Sequence, residues 1–313
     1  MPEHQLRRLL VRSSTIQSYH RQLSKLSGLC FTLLYVGSQC SVSLFCHSGT
    51  NPSRLHQARF VECRITRVFG MVVRGKKTLA MVPVGDMLIH DHPGDVRWGF
   101  NVNKDTLTAL SNIRRGQPIT ESYGRKCNAR YFTLYGFTLN ENLDNEVVLH
   151  IPQKSSKPIR VQVTLSWEHS GFQSALQACR NSIDDSTAGD ENVEAKITRE
   201  ISALKTLRDA AGTAINAFET SIEEDNELLS LDGEQKLDLN ERNCVVMRRG
   251  KKMVEAQIIG FVDKVSAALE SALGVDDDAL VEKARLALAS LATEKDLQRV
   301  SPYIADLVPR FFD

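Results

Sequence analysis

Residues 78–100, TLAMVPVGDMLIHDHPGDVRWGF, hold an apolar run that ends at Asp86 and then reaches His90 beside Ile89. An aspartate closing such a run can serve as a turn residue, its carboxylate accepting bonds from nearby backbone. His90-Asp91-His92 raises a metal site, but no third ligand stands at a suitable spacing, so no metal is expected. Two basic runs, RRG at 114–116 and RRGKK at 248–252, raise nucleic-acid binding. A net charge of +1 argues against a broad polyanion surface, and such runs are usually solvated helix ends or turns. The seven cysteines are odd in number and form no C-x-x-C pair, which speaks for a reducing compartment rather than a zinc site or disulfide framework.

The elements that must position these residues divide the chain. Apolar residues are 42% and charged residues 25%, the balance of a chain that buries a core, and 313 residues suggest two domains. Residues 58–73 read as a helix followed by a short strand, and RGKK as a turn. TLAMVPVGDML reads as a buried strand ending at Asp86. VRWGFNV and TLTALSNI alternate like strands about an NKD turn, RRGQPITESYG reads as a turn and a strand, and NARYFTLYGF as a helix. EVVLHIP closes this unit as a strand, with a linker near 152–160. Beyond it the texture is helical. Ile197, Ile201, Leu204, Leu207, Ala211 and Ile215 recur at steps of three and four, one apolar stripe. Ser221 caps a helix with acids in its first turn. Residues 240–273 and 278–292 read as two more helices.

Residues 1–57 stand apart, with six Lys/Arg, one acid and frequent serine. Their composition is that of an organellar transit peptide or of an artefact of gene prediction. The apolar run at 28–46 is broken by polar residues and is a poor spanning helix, so no membrane is expected.

Three stretches in order carry a resemblance: ITRVFG at 65–70, VPVGDMLIH at 82–90, and IRRGQPITESYGRKCNARYFTLYGF at 113–137. They resemble the C-terminal half of a SET domain, in the subclass of the Rubisco large-subunit lysine methyltransferase and the actin-histidine methyltransferase. TLSWEHSGFQSALQACR, SIEEDNELL and NERNCVVMRRGKK are similar to segments of that subclass's substrate-binding domain. The resemblance implies an α+β fold: a partial SET domain over 58–152 and an α-helical substrate-binding domain over 153–313. It implies S-adenosylmethionine as cofactor and a protein substrate held by the helical domain of a monomer. A cytoplasmic or nuclear location follows, or an organellar one if residues 1–57 are a transit peptide.

Carried over by position, Arg67 meets the cofactor's carboxylate through its planar guanidinium. Asp86 anchors the cofactor loop or accepts a hydrogen bond from the ligand, and His90 sits at the adenine and presents backbone groups. Tyr123 is the catalytic candidate, orienting the methyl group through weak C–H···O contacts, and Tyr135 and Phe137 wall the target's channel. Two departures matter. Ile89 stands where the family has an asparagine, so a donor and an acceptor are missing from the cofactor rim. No G-x-G loop of the family's kind precedes residue 58. The functions that follow are a protein lysine or histidine N-methyltransferase, incomplete in this chain, and alternatively a catalytically inactive SET-like module that binds protein.

Overall fold

The computed structural model describes residues 68–73, 75–82, 84–101, 104–154, 157–164, 171–183, 192–233, 236–274, 277–292 and 302–303. Residues 1–57, and the helix expected just after them, lie outside these. The described chain is α+β, with eight strands and six helices, and it divides into two compact units, 1–138 with 237–244 and 139–236 with 245–313.

In the first unit β1 (Val68–Val73) and β2 (Lys76–Met81) form an antiparallel hairpin. Strand alternation sends Val72, Leu79 and Met81 to one face, where each is more than half exposed. Phe69, Met71 and Ala80 occupy the other, and the Phe69 ring lies 5.0 Å from that of Trp98. The stretch TLAM, read from sequence as a buried strand, is therefore largely exposed. β2 pairs with β1 alone, and one face of this two-stranded sheet stays uncovered among the described residues. A one-turn 3-10 helix, Gly85–Met87, leads into β3 (Ile89–His90). Then come β4 (Val96–Asn101), β5 (Lys104–Ala109) and β6 (Thr120–Glu121), in sheet order β3-β6-β4-β5. β4 and β5 are antiparallel, with Asn101 opposite Lys104, so Lys104 and Asp105 of the expected NKD turn belong to β5. β6 lies parallel to both β3 and β4, with His90 and Val96 each opposite Glu121. Helix α1 (Asn128–Tyr135) follows, closed by Gly136 in the left-handed region at φ 78°, where its N–H donates to the Phe132 carbonyl at 3.0 Å.

The second unit begins earlier than the linker expected near 152–160. β7 (Glu146–Ile151) does not close the first unit but pairs antiparallel with β8 (Ile159–Thr164). Val147, Leu149, Ile151, Val161 and Val163 alternate into one core with α2 (Gly171–Ser182) and α3 (Val193–Ile215). The α3 stripe is buried as its spacing requires, from Ile197 to Ala211. α4 (Ile222–Ser230) starts in a capping box between Ser221 and Glu224. The long α5 (Leu239–Ala272) and α6 (Asp277–Ala292) complete the helices. None among the described residues is long and apolar enough to cross a membrane.

The basic run RRGKK is not a solvated helix end. It lies within α5, and its Lys252 is 1% exposed. The Lys252 ammonium donates to Asp225 at 2.8 Å, to the Thr220 hydroxyl at 2.8 Å and to the Ser221 carbonyl at 3.0 Å. Arg248 also pairs with Asp225, which is fully buried. Burial pulls the Lys252 pKa down against the opposing pull of Asp225. Gly250 sits mid-helix because a Cβ there would meet the Asn145 amide at 2.3 Å. Asp225 thus neutralises two cations beside the α4 N-terminus, and removing it strands a buried lysine. Asp225→Ala is expected to destabilise the protein by roughly 3–5 kcal/mol, read by urea denaturation. A loss below about 1 kcal/mol refutes this assignment.

Candidate functional site

Three segments of the first unit converge: the 3-10 turn with β3, the loop after β6, and α1 with the residues just beyond it. Tyr123 joins all three. Its backbone N–H donates to His90 Nδ1 at 3.0 Å, and its hydroxyl donates to the Leu88 carbonyl at 2.5 Å. Its own carbonyl accepts from the Lys126 ammonium. The Tyr131 hydroxyl donates to the Gly124 carbonyl at 2.8 Å, fixing the next residue of the loop to α1. Gly124 has φ 81°, a conformation that suits glycine.

Rings fill the space between these segments. The His90 ring centroid lies 4.8 Å from Tyr131, 5.2 Å from Tyr123 and 5.6 Å from Phe137. Tyr123 and Tyr135 are 4.8 Å apart, and Tyr135 and Phe137 6.2 Å. The Lys126 ammonium stands 5.9 Å from the Tyr135 centroid, within cation–π range. Phe137 is held from both sides, since Asn243 donates to the Gly136 carbonyl at 3.1 Å and accepts from the Thr138 hydroxyl at 2.8 Å. Asn243 belongs to the same unit through the start of α5.

Burial lowers the His90 pKa below 6.5, opposed in part by the Glu121 carbonyl and the Asp91 charge. Burial likewise lowers Lys126, aided by Arg130, and raises Glu121. Because His90 Nδ1 accepts from Tyr123, the proton of the neutral ring sits on Nε2, which is buried with no partner among the described residues.

Of the residues singled out from sequence, His90, Tyr123, Tyr135 and Phe137 come together. Asp86 lies in the 3-10 turn, its N–H bonded to the Val82 carbonyl at 3.0 Å. Ile89 is on β3 and 54% exposed. Arg67 lies outside the described residues. His90, Asp91 and His92 do not converge, since His92 Nδ1 faces the Ser122 hydroxyl at 3.4 Å while His90 Nδ1 is taken by Tyr123. No cluster of three or more potential metal ligands occurs among the described residues. Sequence reasoning did not single out Tyr131, Lys126, Glu121 or Asn243. Tyr131 falls on the buried face of α1, four residues before Tyr135, and that helical spacing was the available signal.

Gly94 is the hidden support. It has φ 85°, and a Cβ there would lie 2.9 Å from the Ser122 nitrogen and 3.1 Å from the Glu121 carbonyl carbon. Both contacts are backbone, so β6 and the loop to Tyr123 must shift if Gly94 is replaced. Gly94→Ala is expected to destabilise by about 2 kcal/mol or more and to perturb tyrosine near-ultraviolet dichroism. An unchanged spectrum with a change under about 0.5 kcal/mol overturns this.

Comparison with known proteins agrees with this architecture. Residues 161–254 match the family model for the Rubisco LSMT substrate-binding domain. Actin-histidine N-methyltransferases of Papio anubis and Callithrix jacchus are each 21% identical over 212 residues, covering 56% of this chain and 35% of theirs. The chain thus spans about a third of the length of these relatives. In fold it is similar to Rubisco LSMT bound to AdoMet, with a TM-score of 0.59 at 18% identity. It is similar also to the SET domain of LSMT bound to lysine and AdoHcy, with a TM-score of 0.54 at 18% identity. Each alignment covers 87% of this chain and 68% of the other.

Proposed function

We propose that this chain, which carries a Rubisco LSMT substrate-binding domain at 161–254 and the fold of the LSMT SET-domain structures, is a protein N-methyltransferase. It uses S-adenosylmethionine and methylates a lysine or histidine side chain of a protein held by the helical domain. The observation that carries this reading is the ring cluster around a tyrosine tethered at its amide, carbonyl and hydroxyl. Bound, the cofactor supplies a methyl group on a sulfonium, an electrophile that needs a neutral nitrogen in line with it.

The residues present fit part of that group. The orphaned Nε2–H of His90 is a buried donor that calls for an external acceptor, which suits a purine nitrogen. Asp86 and Arg67 are the polar side chains assigned to the rest of the cofactor. Tyr123 gives its hydroxyl proton to the Leu88 carbonyl, so its oxygen keeps lone pairs for weak C–H···O contacts. Tyr135 and Phe137 supply the walls that orient the incoming amine or imidazole. Positioning provides most of the acceleration in such a transfer. Tritiated S-adenosylmethionine with lysine- and histidine-containing protein substrates tests the proposal. Labelled product is expected, reduced about tenfold or more in Tyr123→Phe with fold and cofactor affinity kept. Equal turnover in the variant removes Tyr123 from the mechanism, and no label with any substrate defeats the methyltransferase reading.

Ile89 favours a second reading, a catalytically inactive module that binds protein. It places an exposed aliphatic side chain where the related pattern has an amide. Under that reading Ile89→Asn tightens cofactor binding about ten- to a hundredfold in calorimetry. An unchanged affinity means that the isoleucine is neutral.

A further inference from the structure

The contact between His90 and Tyr123 is made by a ring nitrogen that must be unprotonated to accept. Tyr123 offers its backbone N–H at 3.0 Å, and a backbone amide has no other role than donor. Protonating Nδ1 would set two N–H groups against each other at that distance. Three aromatic rings lie within 5.6 Å of its centroid and crowd the ring. Its other nitrogen already carries the proton, with no partner among the described residues.

We propose that His90 is a positioning residue whose neutral imidazole holds the Tyr123 backbone N–H, and that its protonation removes this one of the three tethers of Tyr123. The charged and titratable groups around the ring come from each packed segment. Asp91 and His92 follow it in the chain, Glu121 faces it from β6, Tyr123 and Lys126 from the loop, and Tyr131 from α1. Asp91 and the Glu121 carbonyl favour the cation, while His92, Lys126 and above all burial oppose it. The balance lies with the neutral ring. A folded pKa depressed below 6.5 means that the bond is fully present above that pH and lost as pH falls through the folded value. Tyr123 bears on catalysis only if the methyltransferase reading holds, but the bond itself requires neither cofactor nor substrate.

Nuclear magnetic resonance of the full chain tests this directly. Between pH 8 and 5 the Tyr123 amide and the His90 ring nitrogens are expected to titrate together, with one midpoint below that of a free imidazole. His90→Phe keeps a ring in the cluster but removes the acceptor. Hydrogen exchange of the Tyr123 amide should then quicken about tenfold, the equivalent of one ordinary hydrogen bond. His90→Asn puts an amide oxygen near the Nδ1 position. It should keep the amide protected and abolish the titration, an outcome that a purely packing role for the ring does not give. A Tyr123 amide that ignores pH, or one equally protected in His90→Phe, overturns the proposal. Should both signatures appear while no methyl transfer is found, the functional reading fails and the positioning role stands.

Discussion

The first unit turns on the fact that one residue, Tyr123, spends every polar group it has on a different partner. Its amide is committed to an imidazole, its carbonyl to an ammonium and its hydroxyl to the carbonyl of Leu88. These bonds lie among apolar rings where unmade ones are expensive, so the loop has one low-energy position. The short strands alone could not give it that. β3 and β6 are two residues each and contribute two pairings, too few to fix a loop against solvent. Polar tethering does for this region what a long ladder does in an ordinary sheet, and it explains why glycines at 94 and 124 sit where backbone conformation or approach leaves no room for choice.

The second unit reaches order by other means. A continuous apolar cluster runs from the β7–β8 hairpin through α2, α3, α5 and α6, and the buried carboxylates Glu200 and Asp225 are paired. Arg180 forks onto Glu200 at 2.7 and 2.8 Å, and the Tyr303 hydroxyl donates to the same carboxylate at 2.9 Å. Asp225 answers Arg248 and Lys252 in the same way. Glu255 departs from this pattern. It is 3% exposed, one oxygen has no partner among the described residues, and burial pushes its pKa up to about 8. Burial disfavours its charged form.

Helices were the most legible part of the sequence, because their signals are local. The α3 stripe, the Ser221 cap and the left-handed Gly136 can each be read within a few residues. The site was half legible. His90, Tyr123, Tyr135 and Phe137 stand in motifs, whereas Lys126, Tyr131 and Asn243 earn their places from contacts that spacing does not display. Asn243 fastens Gly136 from 107 positions away, and no local pattern announces that. The misread pieces share one cause. The exposure of β2, the burial of Lys252 and the allegiance of β7 all depend on what lies across from them. An alternating or basic stretch looks the same whether its neighbour is water, an aspartate or another strand.

The allegiance of β7 bears on where homology and folding part company. The matched family region begins at residue 161, inside β8, and ends at 254, inside α5. The physical core begins at Val147 and runs on to Leu288 and Tyr303. A fragment cut at the homology limits would tear the hairpin down its middle and discard Leu149 and Ile151, both fully buried. What is left of β8 would show a bare hydrogen-bonding edge flanked by valines, the kind of surface that recruits other chains. The unit recognised by descent is therefore smaller than the apolar core to which it belongs.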